Sequence, residues 1–145
     1  PEGRIELIRE YKGIKFINDT TATSPIGATQ ALKSINNPIV LIAGGKDKDL
    51  DYSEFVNLLN KKIKHLVLFK GTATDKILSL INSKNLNSKF QISFVDNMKE
   101  AVKEAYKYCV KGDALLLSPA AASFPTFKNE FDRGDQFNKY VKQIK

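Results

Sequence analysis

Short apolar runs and segments with apolar residues at helical spacing take turns along this chain. Residues Arg4–Tyr11 alternate as a half-exposed strand, Lys12-Gly13 makes a turn, and Ile14–Asp19 alternate again, which predicts an antiparallel hairpin. A polar stretch from Asp19 to Ser24 follows. Ser24 suits an N-cap and Pro25 a first helical position, so a helix is expected over about 25–35, with Ile26, Ala31, Leu32 and Ile35 toward the core. Ile39–Ala43 is a continuous apolar run between Pro38 and the pair Gly44-Gly45, the pattern of a buried strand.

Beyond it the pattern repeats. Asp51 or Ser53 can cap a helix holding Phe55, Val56, Leu58 and Leu59, and His65–Phe69 reads as a strand. Gly71–Thr74 turns into a helix with Ile77, Leu78 and Ile81, and 82–88 reads as a polar loop. Phe90–Val95 reads as a strand, and Asp96 or Asn97 as the cap of a helix with Met98, Ala101, Val102, Ala105 and Cys109. Ala114–Leu117 is a buried strand after the turn Lys111-Gly112-Asp113. A last amphipathic helix holds Phe127, Phe131, Phe137, Tyr140, Val141 and Ile144, with an interruption near Arg133-Gly134-Asp135. Strand then helix, repeated, predicts an α/β fold: a Rossmann-like, mostly parallel sheet of six strands with helices on both faces and an N-terminal antiparallel hairpin. The 145 residues fit a single domain, 1–145.

Composition narrows the classes. Apolar residues make up 42% and charged residues 27%, as in a water-soluble globular protein, and no apolar run nears the roughly 20 residues of a membrane span. Charges run through the first ten residues, which rules against a signal peptide there, and the one cysteine, Cys109, has no internal disulfide partner. A cytoplasmic protein, a monomer without membrane contact, is expected. The net charge is +7, from 23 Lys and Arg against 16 Asp and Glu. The excess is lysine spread along the chain, with three arginines and no basic cluster among aromatics, so no nucleic-acid binding is expected. Cys109 reads as a small core residue on a helix and His65 as structural or superficial.

Three polar stretches follow strand ends: Asp19–Ser24, Gly44–Asp49 and Ser118–Phe124. In a parallel sheet such ends share one edge and line one crevice. Together they offer a carboxylate, hydroxyls, Lys46, Lys48 and backbone amides, a set suited to a small anion. The glycine pair lets the backbone turn and leaves room for a ligand. The set lacks a Ser–His–Asp pattern, a Cys/His cluster and a P-loop.

Asn18–Pro25, Ala43–Lys48, Leu117–Phe124, Phe127-Lys128-Asn129 and Arg133-Gly134, in that order over nearly the whole chain, resemble the C-terminal domain of the Mur ligases, and within that family the members that add D-glutamate. Pro1–Arg4 resembles the segment joining the central domain to this one, and the start at Pro1 without methionine suits a fragment of a three-domain enzyme whose UDP-binding and ATPase domains lie elsewhere. The resemblance implies ATP-dependent amide-bond formation in peptidoglycan synthesis. The carboxylate of UDP-N-acetylmuramoyl-L-alanine is activated as an acyl phosphate and attacked by the D-glutamate amine. It further implies ATP and Mg2+ as cofactors, with the metal on the central domain, and no catalytic residue in this one. Carried over by motif, Thr23, Lys48, Ser123 and the backbone around Phe124 would hold D-glutamate, and Arg4 and Asp19 would touch the nucleotide. Two positions depart from the pattern. Thr21 stands where many members have lysine, and Glu130 precedes Phe131 where many have the aromatic first. The alternatives are a stand-alone small-anion-binding module and a related ligase for another amino acid, of the folylpolyglutamate synthase kind. Taken alone, the domain is expected to be inactive as a ligase.

Overall fold

Ile39–Ala43, the continuous apolar run, forms β3 near the middle of the sheet, and all five residues are buried. A strand covered on both faces has no polar side to alternate with. Ile39, Leu41 and Ala43 enter one core and Val40 and Ile42 the other. The computed structural model describes residues 1–86 and 89–145. Its other strands are β1 (Glu6–Tyr11), β2 (Ile14–Asn18), β4 (Ile63–Phe69), β5 (Gln91–Val95) and β6 (Ala114–Leu117). The sheet order is β1-β2-β6-β3-β4-β5, antiparallel only between β1 and β2.

The helices are α1 (Pro25–Ser34), α2 (Ser53–Lys62), α3 (Thr72–Ser83), α4 (Met98–Lys107) and α5 (Glu130–Lys142). The core residues of α1, α2 and α3 share one face of the sheet, and those of α4 and α5 the other. After β3 the chain crosses to the first face, and after β6 to the second. That divergence is the topological switch point where α/β sheets open a crevice.

The expected hairpin, strand series and two-faced cover are all present. Ser24 caps α1, accepting from the Gly27 N–H, and Asn97 caps α4, accepting from the Glu100 N–H. Several local expectations are corrected. Ile26 is exposed, not in the core, because the buried stripe of α1 runs through Ala28, Ala31 and Leu32. Tyr52 is the N-cap residue of α2 without a side-chain cap, while the Asp51 carboxylate accepts from the Ser53 N–H at 2.9 Å. α3 extends to Ser83, into the expected 82–88 loop, of which 87 and 88 lie outside the described residues. Cys109 lies just past α4, partly buried, and burial pushes its thiol up to about 12, which disfavours the reactive thiolate at neutral pH.

α5 is continuous through Arg133-Gly134-Asp135, where a break was expected. Gly134 is there for space: a Cβ would meet Thr20 Cγ2 at 2.6 Å. The helix can therefore lie against the end of β2, and Asn18 Nδ2 donates to the Gly134 carbonyl at 3.1 Å and to Asn138 Oδ1 at 2.8 Å.

Candidate functional site

The segments after β2, β3 and β6 leave the same edge of the sheet, since these strands run parallel. Backbone hydrogen bonds stitch them into one surface. Asp19 N–H donates to Leu117 O at 2.7 Å, Gly44 N–H to Pro119 O at 2.9 Å, and Ala120 N–H to Ala22 O at 2.9 Å. Lys46 and Ala122 exchange both bonds, at 3.2 and 3.0 Å, as an antiparallel bridge. Gly45 makes this possible: its φ is +141° and a Cβ would meet the Ala122 carbonyl at 2.6 Å. The room expected for a ligand beside the glycine pair is therefore filled by the neighbouring loop.

Asp19 is buried with both carboxylate oxygens engaged, Oδ1 by the Ile5 N–H at 3.0 Å and Oδ2 by the Ser118 hydroxyl at 2.7 Å. Burial raises its pKa, and the bonds from Ser118 and Ile5 and the charge of Arg4 partly offset this. Asp19, Arg4 and Thr21 line a cavity of about 580 Å³ whose apolar wall includes Ile5, Ala22 and Phe131. The volume lies within the range of small-molecule sites. Phe131 is 54% exposed, off the buried face of α5, and stands at the rim of this cavity with Arg4.

The four residues carried over for D-glutamate lie elsewhere on the same edge. Thr23 is half-buried, and because Ser24 supplies the helix cap, the Thr23 hydroxyl is not needed for it. Lys46 and Lys48 are exposed, and neither ammonium has a partner among the described residues. Ser123 is buried at 8% exposure in a small recess with Gly44, Gly45, Thr126 and Arg133. It does not cap α5, which Asn129 does, and its hydroxyl has no hydrogen-bond partner among the described residues. Phe124 is exposed and precedes a cis peptide bond to Pro125. Arg4 and Asp19 thus share one cavity, while Lys48 and Ser123 come from adjoining loops one bridge apart.

Sequence reasoning missed Arg133 as a member of this edge. Its side chain is buried, with Nε donating to Thr20 Oγ1 at 3.0 Å, Nη2 to Thr20 O at 2.7 Å and Nη1 to Ala121 O at 3.0 Å. Burial pulls its pKa down to about 10, still charged at neutral pH, and Glu130 nearby works the other way. One guanidinium thereby ties the β2 loop to the β6 loop behind Ser123. The apolar stripe of the last helix was the available signal, since Arg133 falls on its buried side one turn before Phe137.

Residues 3–121 match the family described as Mur ligase, glutamate ligase domain. The matched span includes Arg4, Asp19, Thr23 and Lys48 and stops short of Ser123 and Phe124. A curated relative from Caldanaerobacter subterraneus subsp. tengcongensis, a UDP-N-acetylmuramoylalanine--D-glutamate ligase, is 42% identical over 99% of the chain and 32% of its own length. The chain thus spans about a third of the length of such relatives. Among solved structures, a murein peptide ligase from Psychrobacter arcticus is similar with a TM-score of 0.65 and 14% identity, over 99% of this chain and 30% of that one. Escherichia coli FolC in complex with ADP is similar with a TM-score of 0.63 and 16% identity, over 99% and 32%. No helix among the described residues is long and apolar enough to cross a membrane.

Proposed function

The chain belongs to the Mur ligase family, as its glutamate ligase domain, and from that premise we propose that it is the amino-acid-binding domain of an enzyme joining D-glutamate to UDP-N-acetylmuramoyl-L-alanine at the expense of ATP. The observation that carries this reading is the bridge between Lys46 and Ala122, which brings the Lys48 loop beside the Ser123 hydroxyl at the switch point, the Lys48 ammonium and that hydroxyl both without a partner among the described residues. An ammonium and a hydroxyl donor on adjoining loops suit a carboxylate, and Thr23 adds a further hydroxyl on the third loop. Backbone around the exposed Phe124 completes the amino-acid subsite.

The cavity with Arg4 and Asp19 fits the nucleotide. Asp19 accepts hydrogen bonds, as a ribose hydroxyl requires, Arg4 supplies a cation, and Ile5 and Phe131 supply an apolar wall for a base. When bound, ATP supplies the phosphoryl group that activates the acceptor carboxylate. Among the described residues no group of three His, Cys, Asp or Glu is placed to hold a metal ion. On the family resemblance we assign Mg2+, the acceptor and the catalytic groups to the part of the ligase outside this domain, and to this domain the holding and orienting of D-glutamate under the nucleotide. Cytoplasmic location and a monomeric enzyme belong to the same proposal.

Phosphate release by the whole ligase, with UDP-N-acetylmuramoyl-L-alanine and ATP present, tests it against a panel of amino acids. D-Glutamate should stimulate release, whereas L-alanine, L-glutamate and diaminopimelate should not. Stimulation only by L-glutamate with a folate acceptor would place the chain with the folylpolyglutamate synthases, and no stimulation by any amino acid would leave an anion-binding module.

A further inference from the structure

The loop that carries Lys48 is held by a residue distant from it in sequence. Lys76, on α3, places Nζ 2.7 Å from Asp47 Oδ2 and donates to the Leu50 carbonyl at 3.0 Å. Asp47 Oδ1 accepts from the Leu50 N–H at 3.1 Å, and the Asp47 N–H donates to Thr72 Oγ1 at 2.9 Å. The Ala73 N–H donates to Gly45 O at 2.9 Å, so the first two turns of α3 grip residues 45–50 at several points. The Asp47 side chain is 9% exposed and that of Lys76 is 43% exposed, so the carboxylate is the sheltered partner and the pair is only partly screened by water. Lys48 lies inside the gripped segment and has no partner of its own among the described residues.

Charge gives the pair a second effect. Lys48 is flanked in sequence by Asp47 and Asp49, with Asp51 two residues further. A free Asp47 would compete with an incoming carboxylate for the Lys48 ammonium. Lys76 occupies that carboxylate and holds its pKa below the usual range, chiefly through their hydrogen bond.

We propose that Lys76 is a positioning residue for the anion site: by pairing with Asp47 it fixes the 45–50 loop and keeps Lys48 available to the substrate carboxylate. This rests on Lys48 contacting D-glutamate, and the test separates the two ideas. In the whole ligase, Lys76→Met keeps most of the stem and removes the charge. It should raise KM for D-glutamate about tenfold while KM for ATP stays within about twofold. Lys76→Arg, which can still reach a carboxylate, should recover most of the loss. In a Lys48→Ala background Lys76→Met should add little, since its effect passes through Lys48.

A Lys76→Met enzyme with an unchanged KM for D-glutamate overturns the proposal, as does a loss of the same size in the Lys48→Ala background or an equal rise in KM for ATP. If wild type responds to D-glutamate and Lys48→Ala impairs that response, such a result removes the role of Lys76 and leaves the substrate reading standing. If Lys48→Ala has no effect, both ideas fall. Should Lys76→Met not fold, Asp47→Asn decides the electrostatic part. With the competing carboxylate gone, Lys76→Gln in that background should regain D-glutamate affinity over Lys76→Gln alone, and no gain counts against the proposal.

Discussion

Arg133 brings a full charge into the interior with no carboxylate among its hydrogen-bond partners; two carbonyls and a hydroxyl hold it. The planar fork reaches Thr20 and Ala121 together, which a lysine ammonium at the same place cannot do. Arg133→Lys should therefore lower unfolding stability by about 1–3 kcal/mol, the cost of leaving buried acceptors unmet, read from urea denaturation. A loss under about 0.5 kcal/mol would show that the fork does not clamp the two loops. Phe131 supports a prediction of a different kind. Its exposed ring faces the cavity with Arg4, so Phe131→Ala should raise KM for ATP by about three- to tenfold, as expected for about 1 kcal/mol of aromatic contact, and leave KM for D-glutamate alone. A change in D-glutamate response instead would return the ring to the amino-acid subsite.

Among elements, β4, β5 and α4 enclose a polar cluster that no motif announced. His65 and Ser93 sit on the paired strands β4 and β5, Ser93 two residues beyond Gln91, the register partner of His65, with His65 Nε2 2.7 Å from Ser93 Oγ. Ser93 Oγ donates to Glu104 Oε2 at 2.7 Å, so it accepts from His65, and the proton of the imidazole is on Nε2. Tyr108 stacks on the ring with centroids 3.6 Å apart, and Nδ1 is buried without a partner among the described residues. Charging the ring would bury an N–H with no acceptor. Burial accordingly depresses the His65 pKa, although the charge of Glu104 works in the opposite direction. The unfolded chain then binds the proton at higher pH than the folded one, so this contribution is complete above about pH 6.5 and is lost as pH falls through and below that value. Glu104 is also depressed, by Ser93 and Lys107, and its contribution is lost only at lower, carboxylate pH. Thermal midpoints of the chain at pH 7.5 and 5.5 should differ in wild type and differ less in His65→Phe, which keeps the stacked ring. Equal differences in both proteins would contradict the assignment.

At the scale of the whole molecule, most of the architecture was legible because each element's pattern matches its burial: the all-apolar strands are those covered on both faces, and the hairpin alternates. The site was legible as far as it depends on strand ends, so Asp19, Lys48 and Ser123 were found on one edge. What sequence could not give was pairing between residues far apart along the chain. Ser118 as the partner of Asp19 depends on the parallel register of β2 and β6, and Lys76 as the partner of Asp47 and Arg133 as the tie between loops depend on how α3 and α5 dock. Gly134 misled for the same reason, since local propensity reads a helix glycine as a weakness, whereas here it lets the helix approach Thr20.

The central claim is that the switch-point edge of this domain holds D-glutamate through Lys48, and steady-state kinetics of the whole ligase with each substrate varied in turn test it directly. A charge-assisted hydrogen bond to a carboxylate is worth roughly 1.5–3 kcal/mol, or on the order of ten- to a hundredfold in affinity. Lys48→Ala should raise KM for D-glutamate by that factor with little change in KM for ATP, Lys48→Arg should restore it only in part, and Lys46→Ala should have the smaller effect. A Lys48→Ala enzyme whose D-glutamate response stays within about twofold of wild type would make Lys48 a solvated loop lysine and contradict the account.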